Sequence, residues 1–313
     1  MTLNEDARVI AEQLAGDAAA LRLAVHTVGG ATVIDCGIAV PGGLQAGLGL
    51  ARVCLSGRAE VSLAPGRVGE WRGPLVVVYS DDPVRACLAS QYAGWQISAG
   101  KFFAMGSGPM RAKYGKEELF NDIPGREESA VAVGVLETRK LPTEEVVAVL
   151  TEKLGLPADR LMLLVAPTAS LAGTVQVVAR SLETALHKLH ALKFDVTQVV
   201  SGFGTAPLPP PAKDDLAAIG RTNDAILYGG RVHLWVRADD DRLAAVGPQV
   251  PASASRDHGV PFAELFARYG HDFYKIDPHL FAPAEVVFHN LTSGRTFAFG
   301  QAAPEVLRRS FEG

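Results

Sequence analysis

AVAVGVLETRKLPTEEVVAVLTEKLGLPADRLMLLVAPTASLAGTVQVVARSLETALHKLH, residues 130–190, decides the fold class. AVAVGVLETR reads as a strand, LPTEEVVAVLTEKLG as a helix, RLMLLVAP as a second strand and residues 170–190 as one long helix. Strand, helix, strand, helix is the rhythm of a mixed α/β protein. In the last helix, at about 100° per residue, Leu171, Val175, Val178, Leu182, Ala185, Leu186 and Leu189 fall in one stripe, the core-facing seam. On the other side Gln176, Arg180, Glu183, His187 and His190 follow at steps of four, three, four and three, forming one polar ridge. A solvated face laced by ion pairs would account for such a ridge. Arg180 precedes Glu183, however, which is the less favourable order for helix stabilisation, so the pair is expected to serve another purpose.

Outward from this stretch the pattern stays mixed. Asn4 can cap a first helix reaching about Leu21, and LAVHTVGGATVIDCG alternates around Gly29-Gly30 as a hairpin. PGGLQAGLGLARVCL is a glycine-rich turn feeding a helix, and AEVSLAPG and PLVVVYS are strands. DDPVRACLASQYAGWQI follows as a helix with Asp81 or Asp82 as cap and Pro83 near its first turn. The outline of Leu75–Ile97 echoes that of Leu161–His190, a weak sign of two related halves. FFAMGSGPMRAKYG reads as an irregular loop, too apolar for a linker, and Phe102–Met110 is expected to line a cleft. VVSGFGTAPLPPPAKDD reads as a Pro-rich connection, DDLAAIGRTNDAILYGG as a helix carrying Arg221, Asn223 and Asp224, and RVHLWVRA, EVVFHNL and RTFAFG as strands. A break near Pro124-Gly125 divides the chain into α/β domains 1–125 and 126–313, which need not be contiguous.

Composition excludes several classes. With 30 Lys and Arg against 34 Asp and Glu, and no basic run, nucleic acid is not an expected partner. No apolar run approaches the ~20 residues of a membrane span, and MTLNEDARVIAEQLAG lacks the basic start and apolar block of a signal peptide. A cytoplasmic protein is expected. Cys36, Cys54 and Cys87 are odd in number and set among apolar residues, as free buried thiols in a reducing compartment would be.

Four constellations bear on chemistry. AGLGLAR places Gly47 and Gly49 as the first glycines of a dinucleotide fingerprint, but the third position is Arg52, so a structural turn is the better reading. Gly106-Ser107-Gly108 could form an anion-binding nest or an ordinary tight loop. Glu183, His187 and His190 could converge on a divalent ion, although their spacing departs from the familiar zinc helix, and Arg180 would place positive charge beside the metal. Arg180 with Glu183 can act as a general-base unit, in which burial favours the neutral carboxyl and the guanidinium favours the ionised one. No G-x-S-x-G elbow and no Walker A loop occur.

Taken in series, IDCGIAVPGGLQAG, LASQYAGWQI, FFAMGSGPMRA, SLAGTVQVVARSLETALHKLH, SGFGTAPLPP and IGRTNDAILYGG resemble methenyltetrahydromethanopterin cyclohydrolase, a family of methanogenic archaea and methylotrophic bacteria. The resemblance runs from Asp35 to Gly230. It implies two α/β domains enclosing an interdomain substrate cleft and a homo-oligomer, most often a trimer. It also implies a cofactor-free, metal-free hydrolase of one-carbon metabolism, including formaldehyde oxidation, that interconverts a methenyl-pterin cation and its formyl derivative. The family's catalytic Arg and Glu fall on Arg180 and Glu183. Ser90, Gln91 and Tyr92, together with Trp95, Met105, Ser107, Arg221 and Asn223, are the implied pterin-binding residues. The rival readings are a non-catalytic pterin carrier, which would not need both Arg180 and Glu183, and a metal-dependent amidohydrolase using Glu183, His187 and His190.

Overall fold

The computed structural model describes residues 1–270 and 272–312. The chain forms two units, neither a single contiguous segment: Met1–Ala59 with Arg85–Val177, and Glu60–Val84 with Val178–Gly313. Pro124-Gly125 lies inside the first unit. Gly125 takes a φ of +121°, and a Cβ there would sit 2.6 Å from that of Ala89, so this Pro-Gly pair makes a packed turn rather than a linker.

In chain order the strands are β1 (Ala24–Val28), β2 (Ala31–Asp35), β3 (Glu60–Val68), β4 (Trp71–Ser80), β5 (Trp95–Ala99), β6 (Phe102–Ser107), β7 (Ala132–Glu137), β8 (Leu161–Ala166), β9 (Val199–Pro207), β10 (Arg231–Val236), β11 (Glu285–Asn290) and β12 (Thr296–Gly300). The first unit holds a six-stranded sheet in the order β1-β2-β8-β7-β6-β5, with β2, β8 and β7 parallel and the outer pairs antiparallel. Gly29 and Gly30, both at positive φ, make the tight turn between β1 and β2. Because strand side chains alternate, Ala132, Leu136, Leu161, Leu163 and Val165 pack on the Glu144–Leu154 helix, which Thr143 caps. Val133, Val135, Leu164 and Ala166 face the other way, onto the Leu3–Gly16 and Leu44–Cys54 helices. The sheet is thus the middle of three layers.

The second unit holds a sheet in the order β12-β11-β10-β9-β4-β3, antiparallel throughout except for β10 beside β11. Along β4, Val76 and Val78 are buried while Tyr79 is half exposed, the alternation of a sheet covered more fully on one face.

Local structure corrects several expectations. Thr2, not Asn4, caps the first helix, in a reciprocal capping box with Glu5. Asn4 is buried, accepting from the Val133 N–H and donating to the Pro109 carbonyl. FFAMGS forms the regular strand β6, and SGFGTAP lies within the central strand β9. The segment after Pro83 is a π-helix, Val84–Gln91, followed by β5. Residues 170–190 form two helices, Leu171–Val178 and Ser181–Ala191, and the division between units falls at the same place, after Val177. Leu171, placed in the core seam by its periodicity, is 38% exposed.

Candidate active site

Arg180 is the N-cap of the Ser181–Ala191 helix, with φ −85° and ψ 5°, and Glu183 is the third residue of its first turn. Both are largely buried, Arg180 8% and Glu183 4% exposed. A carboxylate in the first turn meets the positive end of the helix dipole, which favours its anionic form. The helix break therefore puts Glu183 at a helix start, where one continuous helix would have left it mid-span.

The glycines of SGFGTAP explain how this turn is held. Gly202 and Gly204 are alternate residues of β9 and face the same side. A Cβ at Gly202 would lie 2.6 Å from Leu182 Cδ1; one at Gly204 would lie 2.7 Å from Ser181 Oγ and 3.0 Å from the Leu182 backbone nitrogen. The strand lacks side chains where the helix start rests on it. Further along, buried Lys188 donates to the His279 carbonyl oxygen, tying down the far end of the helix. His187 and His190 are half-buried, and among the described residues no three His, Cys, Asp or Glu side chains converge as a metal site.

In the first unit Ser90, Gln91 and Tyr92 lie at the end of the π-helix and Ser107 joins them through Cys54, whereas Trp95 is buried in the core cluster on the sheet face that carries the Glu144–Leu154 helix. Tyr92 N–H bonds to the Cys87 carbonyl at 2.8 Å, in the wide-turn pattern. Ser90 is fully buried. Its hydroxyl lies 2.6 Å from Ser56 Oγ and donates to the Cys54 carbonyl, while its own carbonyl accepts from the Gly108 N–H. Gln91 is buried as well, and Tyr92 is half-buried. Ser107 Oγ lies 3.2 Å from Cys54 Sγ, which also accepts from Gln176 Nε2 at 3.5 Å. Trp95 stacks on Tyr114 with ring centres 4.3 Å apart, and Met105 pairs with Gln96 across β5 and β6. Asp35, at the end of β2, accepts from the backbone N–H groups of Gly37, Ile38 and Ala39, which shapes the glycine-rich loop after it. Burial and the Asp35 carboxylate push the Cys36 thiol up to about 12, the state of an inert structural cysteine.

Arg221 and Asn223 diverge. Arg221 donates to the carbonyls of Pro210, Pro211 and Ser310, lashing the proline-rich loop and the C-terminal Pro304–Glu312 helix to the Asp215–Gly229 helix, and it lines a hollow of about 520 Å³. Asn223 Nδ2 returns to the Ile219 carbonyl one turn back. The buried Asp224 accepts from the Phe262 N–H, and burial pushes its carboxyl up to about 7. No sequence motif singles out Arg111 and Glu117, an ion pair of a buried guanidinium and a half-buried carboxylate that touches the segment around Ser90. The available signal was an arginine inside the apolar run FFAMGSGPMRA.

A family model described as Cyclohydrolase (MCH) matches residues 2–311. The methenyltetrahydromethanopterin cyclohydrolase of Rhodopirellula baltica is 49% identical over 314 residues, which is 99% of this chain and 94% of that protein. The protein of the same name from Methylobacterium sp. (strain 4-46) is 48% identical, over 99% of this chain and 97% of its own length. That from the archaeon Methanococcoides burtonii is 41% identical, over 90% of this chain and 89% of its own.

Proposed function

Since the chain belongs to the methenyltetrahydromethanopterin cyclohydrolase family, and is thereby a hydrolase acting on the carbon–nitrogen bond of a cyclic amidine, we propose that Glu183 is the general base of the reaction and Arg180 its partner. The substrate is a pterin cation in which one carbon bridges two nitrogens. Water adds to that carbon, and the Glu183 carboxylate takes the proton as the new C–O bond forms. One C–N bond of the tetrahedral adduct then breaks with its electron pair going to nitrogen, which takes up a proton as the adduct's hydroxyl gives one up to become the formyl C=O on the other nitrogen. Substrate cation and water become neutral formyl pterin and one proton. The carboxylate also attracts the substrate's positive charge. Arg180, a like charge to the substrate, holds the water and Glu183 rather than the pterin.

The observation that carries this reading is a carboxylate and a guanidinium, both largely buried, at the start of one helix seated on two strand glycines. Neither residue type is buried without a chemical or structural partner. The segment Ser90–Trp95 is the proposed pterin-recognition element, resting on the resemblance of its sequence. No further cofactor takes part, and the protein works as a cytoplasmic homo-oligomer, a trimer by resemblance. Among the described residues no helix is long and apolar enough to cross a membrane.

The test is loss of the methenyl chromophore on incubation of the methenyl pterin with purified protein, before and after exhaustive chelation. Turnover unaffected by chelation supports the reading. Tight binding without turnover would make the protein a carrier, and activity lost with the metal would move the chemistry to Glu183, His187 and His190.

A further inference from the structure

The chain between Leu88 and Gly94 rests on an ion pair, its guanidinium buried and its carboxylate half-buried, that the proposed chemistry does not use. Arg111 has no exposed surface. Its Nε and Nη2 donate to the two carboxylate oxygens of Glu117 at 2.9 and 2.6 Å, and its Nη1 donates to the carbonyls of Leu88 at 2.9 Å and Ser90 at 3.3 Å. The guanidinium carbon lies 5.0 Å from the centre of the Tyr92 ring and 5.6 Å from that of Phe120. Glu117 completes the support from the other end: a Cβ at Gly94 would sit 2.3 Å from its Oε2 and 2.6 Å from Tyr92 Cε1. One charged pair thus touches Leu88, Ser90, Tyr92 and Gly94.

Burying an ion pair is an inefficient way to stabilise a core, because desolvation cancels most of the attraction, and apolar side chains of similar volume do as well. What apolar side chains cannot do is fix two carbonyl groups and the plane of a ring. A π-helix is an irregular element that needs such fixing and recurs at functional sites. The planar five-donor fork of arginine suits the task, and lysine cannot reproduce it.

We propose that Arg111 and Glu117 are positioning residues for pterin binding: they set the conformation of Ser90–Gly94 and so the placement of Gln91 and Tyr92. This rests on the reading of that segment as the pterin-recognition element. The test is steady-state kinetics with the methenyl pterin on Arg111→Lys, Gly94→Ala and Gln91→Ala, each checked for cooperative melting. Arg111→Lys and Gly94→Ala should each raise KM about ten-fold or more while kcat moves much less, the mark of lost binding rather than lost chemistry. Should Gln91→Ala raise KM while the other two only lower Tm, the pair is structural and the proposal is overturned. Should Gln91→Ala also leave KM unchanged, the segment does not hold the pterin, and both the proposal and the reading beneath it fall. Where Arg111→Lys does not fold, Glu117→Gln takes its place with the same expected and overturning outcomes, since it removes one charge of the pair without placing a new atom against Tyr92, which the Gly94→Ala methyl also meets.

Discussion

Gly204→Ala is a one-methyl perturbation aimed at the first turn of the Ser181–Ala191 helix, and Gly202→Ala is its internal control. At Gly204 the new methyl would stand 2.7 Å from Ser181 Oγ and 3.0 Å from the Leu182 backbone nitrogen. Ser181 can rotate away, but the backbone nitrogen moves only with the helix. Restoring ordinary van der Waals contact therefore requires the first turn to withdraw by about 0.5 Å or more, and misplacement on the order of 1 Å costs a catalytic group roughly 100-fold. Glu183 is the residue next but one along the helix from Ser181, so kcat should fall about 10–100-fold. At Gly202 the methyl meets only the Leu182 side chain, Cδ1 at 2.6 Å and Cδ2 at 3.0 Å, and no backbone atom. That clash relaxes by a rotamer change, with a cost within the usual overpacking range of about 1–3 kcal/mol, partly offset by the ~0.5–1 kcal/mol gained when Gly is replaced inside a strand. Gly202→Ala should lower Tm yet keep kcat within about three-fold of wild type. The assay is kcat from loss of methenyl absorbance, with Tm measured on the same preparations. Wild-type kcat in a well-folded Gly204→Ala, or equal losses in the two variants, would refute the idea that β9 positions the base.

Three further outcomes are expected. Glu183→Gln should keep the fold and pterin binding and lose about 10²–10⁴-fold in turnover, and near-normal rates would place the base elsewhere. Arg180→Ala should also be slow, and the double variant should be little worse than Glu183→Gln alone, because the two act as one unit; strictly additive losses would contradict this. Asp224→Asn should change how stability depends on pH. The buried carboxyl titrates near 7 in the fold, held there chiefly by desolvation, and near 3.8 when unfolded. Between those values the native state keeps a proton that the unfolded state releases, so its contribution is whole below about pH 4 and shrinks as pH rises toward 7. The asparagine variant, which can still accept from Phe262, should lack that slope and gain on wild type by up to about 4 kcal/mol across the window. Parallel urea-unfolding stabilities at pH 4.5 and 7.5 would overturn it.

The elements legible in the sequence are those whose signals are local. The Gly29-Gly30 turn, the Glu144–Leu154 helix and the apolar run of β8 all form as their residues indicate. What escaped reading depends on partners distant in the chain. β6 looks like a loop because it contains Gly106, yet a Cβ there would collide with Ile97 and Met110 at 2.7 and 2.9 Å, so the glycine is a packing requirement of the strand. β9 looks like a linker for the same reason, its glycines being the seat of a helix start. The break at Ala179-Arg180 leaves the apolar period undisturbed, since two residues in a turn need not shift the stripe. In the candidate site, Arg180 and Glu183 were legible as a pair, but their burial and the support of Ser90 by Arg111 arise only in three dimensions.

The discontinuity of the two units has a consequence during synthesis. β4 has β3 beside it at once, but its other neighbour is β9, with Val78 opposite Gly204. That neighbour leaves the ribosome roughly 120 residues later, at about 5–20 residues per second a wait on the order of ten seconds. Meanwhile the first unit can complete its own sheet as soon as β8 emerges, while the β3–β4 ribbon, which belongs to the second unit, still waits for β9. The β4 edge along Val76 and Val78 is then an unpaired template in a unit only just begun, the period when a nascent chain is most open to mispairing with another copy or to capture by a chaperone.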